Sequence, residues 1–439
     1  MENQNQVEPR TLPGFMELHP VKQVMFNQMK DIIKNSYEKF GFLPLDTPVL
    51  ELSEVLLAKA GGETEKQIYR FTKGDTDVSM RFDLTVPLAK FVAQNYGNLQ
   101  FPFRRYQIGK VYRGERPQKG RFREFYQADI DIIGDGELSL LNDAEIPSVI
   151  YTTFKELNLG DFTICINNRK ILNGFFNELK LKDKATDVLR VIDKIEKIGV
   201  ENVKKELLEL EIDGEKVDKI IEFITIKGDN NQKIKKLEEL EIKDPIFNEG
   251  LFEIKEVIKN ILLFGVPEKN FVLDLTIARG LDYYTGTVYE TFLNEYKQLG
   301  SVCSGGRYDN LAEFYTNKKL PGVGISIGLT RLFYQLNEIN SIKVNKESIS
   351  DVLVISMDND ISACVPVASA FRNNGINAEI YTLDKKIKAK FKYAEKLKIP
   401  YIAIIGEDER KNGKVTIKDL KTGDQKTLTI NEAIDVLKG

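Results

Sequence analysis

Apolar positions at Val21, Val24, Met25, Met29, Ile32, Ile33, Tyr37 and Phe40 recur at the spacing of one helical face. The pattern predicts a helix over 21–40, stopped by Gly41. The next segment, FLPLDTPVLE, reads as extended, because Pro44 and Pro48 bias the residues before them away from helix. From about 66 to 134 the pattern shortens to the β-like runs QIYRF, VSMRF, RRYQIGKVYR and FREFYQADIDIIG. In the last run Phe125, Gln127, Asp129 and Asp131 alternate with Tyr126, Ala128, Ile130 and Ile132. A strand there turns its polar side chains to one face. A solvated edge would look the same, but in an otherwise apolar run a concave site is the better reading.

Roughly 178–260 changes character. It is rich in Lys and Glu, with helical recurrence at Val188, Ile192 and Ile195 and at Ile220 and Ile221. It carries no chemical motif and reads as a helical insertion. β-like runs return at 271–277 (FVLDLTI), 286–293 (GTVYETFL) and 322–328 (GVGISIG). A polar linker over 338–350 then separates a first domain, 1–337, from a second, 351–439. The second carries Val352–Ile355, INAEIYTL, YIAII and KVTIK, separated by helix-like segments, which is the pattern of a small βαβα-type module.

Composition narrows the class. At 439 residues the chain is about three times a usual domain of ~150, so burying a core is no difficulty. The net charge of -3 means that any nucleic-acid surface must come from local clustering. No apolar run reaches the ~18 residues of a membrane span, and MENQNQVEPR has no apolar signal-peptide region, so a cytoplasmic protein with no membrane partner is expected. Cys165, Cys303 and Cys364 form neither a CxxC pair nor a disulfide framework. The single histidine, His19, leaves no Ser-His-Asp triad, Cys-His pair or histidine-based metal site unless it serves itself, and no side-chain metal site is expected. A structural or solvent-facing His19 is the better reading, so chemistry must run on Arg, carboxylates, Tyr, Gln and backbone.

Four clusters offer such chemistry. Arg113-Gly114-Glu115 leads into a hairpin loop with five Lys/Arg in the eleven residues from Arg113 to Arg123. A charge run is usually a solvated turn, but arginines on the flanking strands are costly without an anionic partner. Ala278–Gly286 (ARGLDYYTG) follows a strand, with glycines that permit close backbone approach. Ser304–Asp309 (SGGRYD) reads as a tight turn. Gly322–Leu332 (GVGISIGLTRL) is a Gly-punctuated strand entering a helix, but its spacing is not that of a dinucleotide site.

In this order the segments resemble the three motifs of class II aminoacyl-tRNA synthetases, and ARGLDYYTGTVYE and SVCSGGRYD resemble the signatures of the histidyl-tRNA synthetase family. The resemblance spans nearly the whole chain. It implies an α+β fold: a class II antiparallel β-sheet catalytic core flanked by helices, a helical insertion, and a C-terminal α/β anticodon-binding domain. It also implies a homodimer built on motif 1, the 21–40 helix with the extended segment to Pro48. The implied activity is activation of L-histidine with ATP and Mg²⁺, followed by transfer to histidine tRNA.

The family's roles carry over by position. Arg113 matches the arginine on the α-phosphate, Glu115 the adenine amino partner, Phe125 and Arg331 the adenine sandwich, and Arg121 a contact to the triphosphate end. Asp83, Leu84 and Thr85, with Gln127, match the amino and carboxylate ends of histidine, while Asp131 and Tyr284, beside Tyr283, match the imidazole partners. Arg279 is placed on the histidine and at the reacting phosphate, so Arg113 and Arg279 are the expected catalytic pair. Arg116, Gln118 and Arg123 match contacts to the tRNA acceptor end. Many bacterial members carry Glu where this chain has Asp83 and Asp131. The Lys-rich stretch 385–398, seven lysines against one Glu, is either a tRNA-facing helix or a solvated face.

Three other readings share parts of this pattern: the synthetase-like regulatory subunit of ATP phosphoribosyltransferase, a non-enzymatic RNA-binding or signalling protein, and a synthetase for another amino acid. The intact ARGLDYY segment and the C-terminal module argue against the first. Retention of Arg113, Glu115, Arg121 and Arg331 argues against the second, and the two histidine-type signatures against the third.

Overall fold

The helix expected at 21–40 spans Pro20–Lys39, and Gly41 follows it at φ 74°, where a side chain would be strained. The computed structural model describes residues 7–58, 63–117, 120–277, 284–342, 347–358 and 360–438. The chain forms two compact units, Met1–Met16 with Lys30–Ser341 and Glu17–Met29 with Ile342–Gly439.

The first unit contains strands β1 (Leu43–Pro44), β2 (Leu50–Leu52), β3 (Arg70–Lys73), β4 (Thr76–Met80), β5 (Phe103–Tyr112) and β6 (Glu124–Ile133). After these come β7 (Phe162–Asn168), β8 (Phe271–Leu273), β9 (Thr287–Leu293), β10 (Cys303–Tyr308) and β11 (Gly322–Ile327). Eight of them make one sheet in the order β1-β5-β6-β11-β10-β9-β7-β8, while β2, β4 and β3 form a small separate sheet. The inner pairs of the large sheet are antiparallel, as expected. Its outermost pairs, β1–β5 and β7–β8, are parallel.

β6 divides its faces as its alternation requires. Ala128, Ile130 and Ile132 are fully buried on the side covered by helices. There the Tyr37 hydroxyl donates to Ala128 O at 3.0 Å, and the Ser36 and Thr153 hydroxyls, 2.8 Å apart, join the first helix to helix Leu140–Glu156. The insertion is helical throughout its main elements and ends in helix Pro245–Leu263. Asp244 receives the N–H groups of Ile246 and Phe247 at that helix's start, and Pro245 occupies its first turn.

Two expectations need correction. The segment Ser304–Asp309 is not a tight turn: Cys303–Tyr308 is strand β10, in the middle of the sheet. Its glycines are there for close packing, since a Cβ on Gly305 would lie 2.1 Å from Gly324 O, and one on Gly306 2.6 Å from Thr287 O. The run 271–277 is a strand only over Phe271–Leu273. Asp274 then accepts from the Thr276 N–H at 3.0 Å and hydroxyl at 2.6 Å, a local turn that competes with the ladder.

In the second unit, β12 (Val352–Ser356), β13 (Ala378–Ile380), β14 (Tyr401–Ile405), β15 (Lys414–Asp419) and β16 (Gln425–Thr429) form a sheet in the order β13-β12-β14-β15-β16. Its first three strands are parallel and its last two pairs antiparallel. Val352, Val354, Phe371, Ala403, Ile405, Val415 and Ile417 share its core. The sequence pattern missed β16, an exposed edge strand with no buried residue, and the closing helix Ile430–Lys438, which buries Ala433 and Ile434.

Candidate active site

The polar face of β6 forms the floor of a cleft of about 540 Å³. Phe125, Gln127, Asp129 and Asp131 all line it, so the face is concave and not a solvated edge. Across the sheet, Arg105 on β5 pairs with Asp131, and Gly324 on β11 lies opposite it. The Arg105 guanidinium, fully buried, reaches Asp131 Oδ2 with Nη2 at 2.6 Å and donates from the same nitrogen to Leu84 O at 3.1 Å. The Tyr308 hydroxyl donates to Asp131 Oδ1 at 2.7 Å. Gly324 makes room for this, because a Cβ there would sit 2.4 Å from Asp131 Oδ1. Gly322 does the same for Tyr308, whose ring would lie 2.4 Å from an added Cβ.

Two more polar groups complete this end. Asp83 Oδ1 accepts the N–H groups of Thr85 at 3.0 Å and Val86 at 2.9 Å, at the start of helix Thr85–Asn95. Gln127 Nε2 donates to Ser326 Oγ at 2.7 Å, and the Ser326 hydroxyl in turn bonds Asp129. Burial raises all three carboxyls, and the Arg105 charge only partly offsets it at Asp129 and Asp131. Asp129 is pushed up to about 7. Burial also raises the Cys303 thiol, which lines the same cleft.

The other end belongs to the β5–β6 hairpin and the helix that follows β11. The Arg113 guanidinium lies 4.3 Å from the Phe82 ring centre and 5.1 Å from that of Phe125, with Nε donating to Phe82 O at 3.2 Å. Glu115 receives Arg121 Nη1 at 3.5 Å. Arg331, in helix Leu329–Glu338, donates from Nη2 to Leu299 O at 2.8 Å. Tyr126 N–H donates to Thr330 Oγ1 at 2.8 Å, fixing that helix against β6.

Of the residues expected at the site, Asp83, Thr85, Arg113, Glu115, Arg121, Phe125, Gln127, Asp131, Tyr284 and Arg331 come together around the cleft. Leu84 is buried behind it and contributes only its carbonyl. Arg116 is exposed beside the hairpin. Arg123 braces that hairpin, donating from Nε to Glu115 O at 3.0 Å and from Nη1 to Pro13 O at 3.4 Å. Gln118, Arg279 and Tyr283 lie outside the described residues. The sequence reading gave no role to Arg105, Asp129, Tyr308 or Ser326. The usable signals were an arginine inside the strand run RRYQIGKVYR and the third polar position of β6. Among the described residues no cluster of three or more His, Cys, Asp or Glu is arranged to hold a metal ion, and no helix is long and apolar enough to cross a membrane.

Comparison with known proteins finds relatives along nearly the whole chain. The family model for histidyl-tRNA synthetase matches residues 14–332, and that for an anticodon binding domain matches residues 351–439. The histidine–tRNA ligase of Clostridium tetani is 62% identical over 98% of both chains, and that of Finegoldia magna 49% identical over 98% of this chain and 100% of its own. The crystal structure of histidyl-tRNA synthetase from Nostoc sp. PCC 7120 superposes with a TM-score of 0.91 at 39% identity, covering 99% of each chain. Matches of this extent and identity show that the protein belongs to the histidyl-tRNA synthetase family, within the class II aminoacyl-tRNA synthetases.

Proposed function

We propose that in this cleft the chain joins L-histidine to ATP as histidyl-adenylate and then passes histidine to the 3′ end of histidine tRNA. The observation that carries the reading is separation of charge within one cavity. Asp129 and Asp131 gather near one end of β6 and Arg113 lies beside Phe125 near the other, with Asp83 between them, close enough to feel the Arg113 charge. Phe125 and Asp131 are six residues apart on one strand, about 20 Å. An amino acid with a cationic amine suits the first end, and a polyanionic triphosphate the second.

In the activation step a carboxylate oxygen of histidine attacks the α-phosphorus of ATP, a new O–P bond forms, and pyrophosphate leaves. The attack needs no strong base, so positioning and charge stabilisation supply the acceleration. Arg113 offers a two-pronged guanidinium to the α-phosphate, and Arg279 is assigned to the same phosphate and to the histidine carboxylate. Phe125 and Arg331 flank adenine, Glu115 takes its amino group, and Arg121 meets the terminal phosphates. Thr85 and Gln127 hold the amino end with Asp83, while Asp131, Tyr283 and Tyr284 surround the ring. Glu290, which lines the cleft, would offer a hard oxygen to a Mg²⁺ ion bound with ATP, and that ion would supply charge neutralisation at the phosphates. In the second step the terminal hydroxyl of the tRNA attacks the adenylate carbonyl and AMP leaves. Arg116, Gln118 and Arg123 are assigned to the hairpin that meets the acceptor end, and the 351–439 module to the anticodon. A cytoplasmic homodimer completes the reading. Exposed Leu50, Leu52 and Phe71 on the β2-β4-β3 sheet support it as apolar surface to be covered, and sedimentation of the purified chain tests it.

The deciding experiment is ATP–pyrophosphate exchange by the purified chain across a panel of amino acids. Histidine alone should support exchange. Exchange driven by another amino acid, or by none, overturns the reading.

A further inference from the structure

The β5–β6 hairpin loses its ladder where its site residues begin. Arg113 N–H still donates to Arg123 O at 2.9 Å, one rung beyond the pair Tyr112–Glu124, but Gly114 N–H turns away to Gln67 O at 2.7 Å. Glu115 therefore stands off the sheet, and its carboxylate has a loose partner, the exposed Arg121 at 3.5 Å. Its backbone is held by a side chain from the returning arm: Arg123 Nε donates to Glu115 O at 3.0 Å. Arg123 is itself anchored from 110 positions away, with Nη1 donating to Pro13 O at 3.4 Å. Its N–H donates to Gly14 O at 2.7 Å, a carbonyl shared with Glu124 N–H at 3.4 Å. Gly14, at φ 88°, lets the arginine stem lie on the backbone, since a Cβ there would be 2.8 Å from Arg123 Cγ. Next to it the Phe122 ring packs edge-on against Tyr334, with 5.3 Å between centres, which fixes the returning arm.

We propose that Arg123 is a positioning residue for ATP: latched by the turn at 12–15, it sets where Glu115 stands in the cleft, and so acts in activation before any tRNA is bound. That turn is closed by Phe15 N–H on Leu12 O at 3.0 Å. The inference rests on the reading of this end of the cleft as the ATP site, with Glu115 on the adenine amino group. An arginine that grips a phosphate with both prongs needs two nitrogens of one edge free. Here Nε and Nη1 are both engaged with carbonyls, and each paired edge of the guanidinium contains one of them. A hairpin of Gly, Pro and charged residues loses much conformational freedom when its outgoing arm is ordered, and ATP would otherwise have to meet that cost on binding. By ordering Glu115 in advance, Arg123 removes the cost from ATP binding. Histidine, at the other end of the cleft, does not feel it.

The test is pyrophosphate exchange without tRNA. Arg123→Ala should raise the KM for ATP roughly 10- to 100-fold, as loss of a hydrogen bond from a charged donor does, and leave the KM for histidine within about twofold. Arg123→Lys, which can still donate to Glu115 O, should fall between wild type and Arg123→Ala. In a Glu115→Ala background, Arg123→Ala should add less than about twofold, because the group it places is gone. Gly14→Ala drives a Cβ into the arginine stem and should shift the KM for ATP in the same direction with Arg123 itself intact. It carries the comparison if Arg123→Ala does not fold. Unchanged exchange with tRNA charging alone impaired hands Arg123 to the tRNA and overturns the inference. Equal rises in both KM values, or effects of Arg123→Ala and Glu115→Ala that simply multiply, overturn it too. In those cases wild-type exchange still upholds the site, whereas absence of histidine-dependent exchange in the wild type overturns both.

Discussion

The Asp129 carboxyl titrates near neutrality because burial opposes its charge more strongly than Arg105 and the Ser326 hydroxyl favour it. In the unfolded chain an aspartate loses its proton near ~3.9, so between that pH and about 7 the folded protein holds a proton that the unfolded chain has released. This contribution to stability is whole below the unfolded pKa and is lost as pH rises through 7. Asp129→Asn removes it. Melting the wild type and the variant without histidine should show the variant's advantage in Tm growing from pH 5 to pH 8 and then levelling, whereas a pH-independent difference would assign the titration elsewhere. Part of this was legible in the sequence: the alternation over 125–132 shows a polar strand face. That Asp131 is occupied was not legible, because its partners Arg105 and Tyr308 come from strands 26 and 177 positions away. No local pattern reports such pairings.

Among the elements, β10 and β11 show how glycine can serve a site without touching a ligand. Gly322 and Gly324 leave the space that the Tyr308 ring and the Asp131 carboxylate fill, and Gly305 lets the two strands approach. A Cβ at position 324 would meet Ile130 O at 2.3 Å, so the backbone itself must shift. Gly324→Ala should cost about 1–3 kcal/mol of stability, as overpacking does, and raise the KM for histidine more than that for ATP. Thermal melts and exchange kinetics on one preparation check both, and a variant with unchanged Tm and KM would remove Gly324 from this role. The glycines were visible in GVGISIG and SGGRYD, but glycine marks turns and close approaches equally. Only the neighbouring strands decide between them, which is why Ser304–Asp309 read as a turn.

At the scale of the whole molecule, local periodicity made the helical insertion and the C-terminal module readable, whereas the α+β core was implied by the order of motifs that resemble the family. The Lys-rich stretch was ambiguous, and its burial sorts it. Lys390 is inside, its ammonium donating to Ser356 O at 2.6 Å, while Lys385, Lys386, Lys388, Lys392, Lys396 and Lys398 are exposed. If the exposed six face tRNA, replacing four of them by Gln should weaken tRNA binding and flatten its salt dependence by about one unit of slope per lost phosphate contact. Histidine-dependent exchange should not change. An unaltered slope would mean that the lysines only solvate a helix face.

The division of the chain also has a timetable. Glu17–Met29 belongs to the same unit as Ile342–Gly439, with the whole first unit's 30–341 segment synthesised between them. At roughly 5–20 residues per second, translation takes about 15–60 s to cross that segment. The segment carrying Met25, Phe26 and Met29, side chains buried in the finished protein, leaves the ribosome before that stretch and can join the rest of its unit only after it. For that interval the unit to which these apolar side chains belong is incomplete in the nascent chain, which leaves them dependent on chaperone cover.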